Sequence, residues 1–177
     1  QIRHSGKKLA VPAVSLNTGE CRIFDEKHPE IVDAVLASSS FPGMFCPIEI
    51  EGQLWTDGGL RNASLLKAAI DLGADSIDVI MTSPESNVVD FTSKPNAIDI
   101  IVRSLDVLGD ELMEADLKLT QLINRLVDAR RLDKKKVNIR VLRPKQKLPG
   151  KSLEFEPKNI RRMIEMGYND ATSLCEE

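Results

Sequence analysis

Residues 37–75 read ASSSFPGMFCPIEIEGQLWTDGGLRNASLLKAAIDLGAD: a short strand pattern, an Asp and two glycines, then a helix pattern. Asp57-Gly58-Gly59 stands at the junction. α/β enzymes bind ligands outside the carboxyl ends of their strands, so an Asp at this junction occupies a place where catalytic groups belong. The two glycines lack a Cβ, which lets the backbone turn tightly beside the carboxylate.

The patterns on either side extend the same alternation. Residues 9–16 alternate between apolar and small residues as a strand, Asn17-Thr18-Gly19-Glu20 is a turn signal, and residues 21–24 form the returning strand. Residues 29–36 carry Ile31, Val32, Val35 and Leu36 at helical spacing with Pro29 at the first turn. Residues 41–47 hold two prolines and a glycine and read as an irregular apolar loop. Residues 48–50 and 54–56 flank Glu51-Gly52-Gln53 as a second tight hairpin. Residues 62–72 read as a short helix capped by Asn62 or Ser64 and ended by Gly73.

Further on, residues 77–81 form a short apolar run of the kind found in a buried strand. A long amphipathic helix is expected over about 97–130, with a bend near Gly109. Residues 137–142 alternate as a strand, residues 144–152 form a basic loop, and residues 158–174 form a terminal helix. Strands alternating with helices predict an α/β fold with a mixed, mainly parallel sheet flanked by helices.

Composition bounds the function. The 177 residues are 42% hydrophobic and 29% charged, the balance of an ordinary globular domain. A net charge of −3 and 4% aromatic content give no electrostatic or stacking case for nucleic acid. No apolar run approaches the roughly 20 residues that span a bilayer. The first twenty residues lack the long apolar stretch of a signal peptide, and a cytoplasmic location, at most peripheral to a membrane, is expected. Cys21, Cys46 and Cys175 are odd in number and far apart. They are expected as reduced thiols in or near the core, without a zinc site.

Residues 37–75 resemble the C-terminal half of the patatin-like phospholipase domain. The resemblance is carried by the Ala-Ser-Ser and Pro-Gly-x-Phe-x-Pro run at 37–47, by Asp57-Gly58-Gly59 and by Leu72-Gly73-Ala74-Asp75. It extends more loosely to Thr18-Gly19-Glu20, to Phe155-Glu156-Pro157 and to Met166-Gly167-Tyr168. It implies a serine acyl hydrolase that cleaves a phospholipid or other acyl ester through a Ser–Asp dyad, with Asp57 as the Asp and no metal or cofactor. Residues 1–177 would then form the C-terminal part of one such domain.

Serine attack needs a base, and a partly desolvated carboxylate in direct contact with the hydroxyl can serve. The competing reading makes Asp57 a helix cap or an ordinary Asp-Gly turn residue. The nucleophile elbow Gly-x-Ser-x-Gly is absent from the sequence, as is a glycine-rich oxyanion loop. The expectation is that both belong to a missing N-terminal part of the same domain, and that this chain alone is inactive. Ser38, Ser39 and Ser40 lack the flanking glycines of an elbow, His4-Ser5-Gly6 lies near the chain end, and His28 sits among charges and is expected to be solvated.

Phe41, Met44 and Phe45 would either line an acyl-chain site or pack under the loop. A non-catalytic interaction module built on the long helix is the alternative function. A carboxylate metal site around Asp57 is a third, with a poor set of ligands nearby.

Overall fold

The computed structural model describes residues 5–61, 64–85, 88–89, 94–133, 135–150 and 155–175. His4 and the expected cap Asn62 lie outside them, and the basic loop at 144–152 is described only to residue 150. The elements are β1 (Ala10–Ser15), β2 (Cys21–Asp25), α1 (Ile31–Ser38), β3 (Ile48–Ile50), β4 (Gln53–Asp57), α2 (Leu66–Asp71), β5 (Ser76–Ile80), α3 (Ala97–Asp128), β6 (Asn138–Leu142) and α4 (Pro157–Cys175). The chain divides into two compact units, residues 1–74 with 95–136 and residues 75–94 with 137–177.

The first unit is built on a four-stranded sheet in the order β2-β1-β4-β3. Its turns set that order. Gly19 takes a φ of 74° in the β1–β2 turn, where its amide donates to the Ser15 carbonyl. The two-residue β3–β4 turn has Glu51 at 51° and Gly52 at 72°, the paired positive φ that matches the twist of a hairpin. Glu51 is not a glycine, and its place there is supported by Arg22 Nη1 at 2.6 Å and His28 Nε2 at 3.1 Å from its carboxylate.

One face of this sheet buries against α1. Val11, Ala13, Phe24, Ala34, Ala37, Ile50 and Trp55 form the core, with Ala34 and Ala37 letting the helix approach closely. Phe24 and Trp55 meet edge to face at 5.2 Å, a favoured aromatic arrangement. The Trp55 indole N–H donates to the Ile50 carbonyl at 3.1 Å, so the core holds its polar edge satisfied. The outer face of α1 stays open, with Val32 70% and Leu36 52% exposed.

The long helix α3 is opened by a capping box, in which Asn96 and Asp99 exchange side-chain and backbone bonds. The helix runs unbroken past Gly109. Its buried residues are Leu117 and Thr120, whereas Ile98, Ile101, Leu108, Leu119 and Leu122 are exposed. Among the described residues, no helix is long and apolar enough to cross a membrane.

In the second unit β5 and β6 pair in parallel, with Arg140 gripping Asp78 across the strands through bonds of 2.7 and 2.8 Å. Lys145 ties the chain after β6 to α4, through its amide to Asp170 and its ammonium to Ser173.

The mixed α/β class is thus present. The weighting within it differs from expectation: β5–β6 is the parallel pairing among the described strands, and β1–β2, β1–β4 and β3–β4 are antiparallel. The two hairpins explain β1–β2 and β3–β4, because a short turn can only reverse a strand; β1–β4 joins the two hairpins side by side.

Candidate active site

Asp57 is the last residue of β4, a central strand, and pairs across the sheet with Ala13 of β1. Two bonds to one carbonyl fix this strand end. The Ser40 carbonyl, just beyond α1, accepts from the Asp57 amide at 3.2 Å and from the buried Thr56 hydroxyl at 2.6 Å. The loop that opens with Phe41 is thereby stitched to the end of the strand.

Gly58–Leu60 then form a single 3₁₀ turn, and Asp57 caps it: the Gly59 amide donates to Asp57 Oδ1 at 2.8 Å. Asp57 is therefore a cap, but of this turn and not of α2. Each glycine has its own reason. A Cβ at Gly58 would stand 2.4 Å from the Pro12 carbonyl oxygen and 2.5 Å from the Pro12 Cβ. A Cβ at Gly59 would stand 3.1 Å from Asp57 Oδ1. The first glycine lets the turn lie on β1, and the second leaves the carboxylate its place.

The Asp57 carboxyl is half-buried, and this burial pushes its pKa above the ordinary carboxylate value, against the smaller opposing effect of the Gly59 bond. Among the described residues, Gly59 supplies the hydrogen bond to the carboxylate, which leaves the second oxygen available to accept a proton. A carboxylate so placed has the properties of a general base.

The serines of the neighbourhood are committed elsewhere. Ser39 Oγ donates to the Val35 carbonyl at 3.0 Å and Ser40 Oγ to the Leu36 carbonyl at 2.8 Å. Both satisfy the last turn of α1. Ser64 does not become the N-cap of α2, a position taken by Leu65 in the left-handed conformation. Its hydroxyl bonds Asp116 of α3. That contact and the Ser40 carbonyl clamp have no sequence signal beyond the expected capping serine.

His28 departs from the solvated reading. Its ring lies edge-on to Phe24 at 4.9 Å, accepts from the Glu30 amide at Nδ1 and reaches Glu51 through Nε2. It belongs to the core margin, held by the Phe24 ring, by the Glu30 amide and by Glu51 from across the sheet. Phe45 is 54% exposed, and Phe41 and Met44 are partly buried, so this loop stands outside the packed core. Cys46 is exposed and Cys21 partly buried, both as free thiols. Among the described residues, no three His, Cys, Asp or Glu side chains are grouped to hold a metal ion.

The arrangement around Asp57 coincides with a family match. The family model of patatin-like phospholipase matches residues 9–70, the stretch from β1 through the Asp57 turn to α2, and this match supports the resemblance to that family.

Proposed function

We propose that this chain is part of a lipid acyl hydrolase in which Asp57 is the base of a Ser–Asp dyad. The observation that carries the reading is the half-buried Asp57 carboxylate at the end of a central strand, with one oxygen held by Gly59 and its pKa raised by burial. The match of residues 9–70 to patatin-like phospholipase supports the substrate class, an acyl ester of lipid type. Residues 1–177 form the C-terminal part of one acyl hydrolase domain, and the nucleophilic serine comes from a segment outside them.

In the reaction, the serine oxygen attacks the ester carbonyl carbon as Asp57 takes the hydroxyl proton. Collapse of the tetrahedral adduct expels the alcohol, which leaves with that proton. Water then attacks the acyl-enzyme, giving a proton back through Asp57, and the carboxylic acid departs as the serine is restored. A carboxylate with a raised pKa suits both directions of transfer.

Asp57→Asn in the whole protein tests the reading. The amide still accepts from Gly59 but cannot take the serine proton. Hydrolysis of a chromogenic ester should fall by on the order of 10²–10⁴-fold with the fold intact. Activity within tenfold of the unsubstituted protein would overturn the assignment.

A further inference from the structure

Downstream of Asp57, a serine–carboxylate contact ties the chain to the long helix. Ser64 Oγ donates to Asp116 Oδ2 at 2.5 Å, in a partly buried setting. The Leu66 amide lies 3.4 Å from the same oxygen, too far for a strong cap, so the main partner of Ser64 is Asp116. A hydroxyl bonded to a carboxylate is among the stronger hydrogen bonds available to a neutral side chain.

The neighbouring geometry is constrained to suit. Leu65 holds φ at 50°, in the left-handed region that a leucine rarely adopts and that strains its backbone. Asp116 adjoins Leu117 and lies one turn before Thr120, the buried residues of α3, and this helix contacts both the 3₁₀ turn and α2. Among the described residues, three ties are seen on either side of positions 62–63. Gly58 lies against Pro12, Arg61 Nη1 donates to the Gly19 carbonyl at 2.6 Å, and Ser64 bonds Asp116. The Arg61 tie is exposed and rests on a long flexible side chain, whereas the Ser64 tie is short and shielded.

We propose that Ser64 and Asp116 are positioning residues for Asp57: their bond anchors Ser64 on α3 and so helps keep the Gly59 N–H on the Asp57 carboxylate. The catalytic part of this inference rests on the function proposed above.

The test uses the whole protein, with two readouts: kcat and KM on a chromogenic ester, and the titration of the Asp57 carboxyl followed by carbon NMR. Ser64→Ala and Asp116→Leu should each lower kcat by about tenfold with KM little changed, as expected for a misplaced base. Each should also move the Asp57 midpoint further up, because the carboxylate loses its backbone donor. Removing the Asp116 charge would by itself move that midpoint down, so an upward shift separates positioning from simple electrostatics.

Asp116→Asn keeps an acceptor for the Ser64 proton and should restore most of kcat, with an intermediate midpoint. It also carries the test if Asp116→Leu does not fold. A lowered melting temperature in Ser64→Ala with kcat and the Asp57 midpoint unchanged would reduce the pair to a structural tie and overturn the inference. If Asp57→Asn left hydrolysis intact, the dyad would fail, while the Asp57 midpoint in Ser64→Ala would still decide whether Ser64 positions that carboxylate.

Discussion

Gly58 lies so close to Pro12 that a Cβ on it would overlap the Pro12 carbonyl oxygen, carbon and Cβ at 2.4–2.6 Å. These are backbone and ring atoms of β1, which cannot swing aside. Gly58→Ala must therefore push the 3₁₀ turn off the sheet. Overpacking of this kind costs roughly 1–3 kcal/mol, which in a chain of this size is roughly 2–12 °C in Tm. A thermal melt of Gly58→Ala at the unsubstituted Tm would show that the turn is looser than its contacts require.

Gly59→Ala should behave in the opposite way. The new methyl would meet the far end of the Asp57 side chain at 3.1 Å, a contact relieved by a few tenths of an ångström of carboxylate movement. Replacing a glycine without positive φ also restricts the unfolded chain, so Tm should hold or rise slightly. Hydrolysis should fall by about tenfold or more, because the proposed base is displaced from its place. Full activity in Gly59→Ala would mean that the carboxylate tolerates the movement and that the second glycine serves only the turn.

The pH dependence of stability follows from the Asp57 carboxyl. Its pKa is raised in the fold by burial, so its favourable contribution to stability is present below the ordinary carboxylate pKa and is lost as pH rises through the raised value. At neutral pH the ionised group is a net cost, which solvent screening of a half-buried site keeps below about 1 kcal/mol. Asp57→Asn should therefore raise Tm by up to about 4 °C at neutral pH, and the gain should shrink toward pH 3–4. Melts of the two proteins across this range check it. A gain that grows on acidification would contradict the burial argument.

Much of the first unit can be read in the sequence because its signals are local. The turn glycines Gly19 and Gly52, the helical spacing of Ile31 to Leu36 and the strand pattern before Asp57 are all settled by neighbours a few residues away. The features that sequence reading misses depend on distant partners. His28 is placed by Phe24 and by Glu51, which the β3–β4 hairpin brings across the sheet. The start of α2 depends on the left-handed Leu65, a conformation with no residue signal, since leucine gives no reason to expect it. The pairing of β5 with β6 joins segments separated by the whole of α3, so nothing in either strand announces the other or the division into two units. Asp57 itself could be located from its motif. The Ser40 carbonyl that fixes its backbone could not, because a backbone acceptor leaves no mark in the sequence.

The last expectation concerns the serines. Fluorophosphonates phosphonylate a serine that is activated by a base and exposed to the reagent. Ser39 and Ser40 give their hydroxyl protons to carbonyls of α1, and Ser64, which does face a carboxylate, is paired with Asp116 of α3 and not with Asp57. Residues 1–177 expressed alone should therefore remain unlabelled. The open faces of α1, with Val32, Val35 and Leu36, and of α3 provide apolar surface against which the segment proposed to carry the nucleophile would pack. Addition of the segment that carries a Gly-x-Ser-x-Gly elbow should produce labelling on the added segment, together with a rise in Tm from the newly buried surface. Mass spectrometry of the labelled peptide distinguishes the outcomes. Labelling of residues 1–177 alone, at Ser64 above all, would assign the nucleophile to Asp116's partner and remove Asp57 from the role of base.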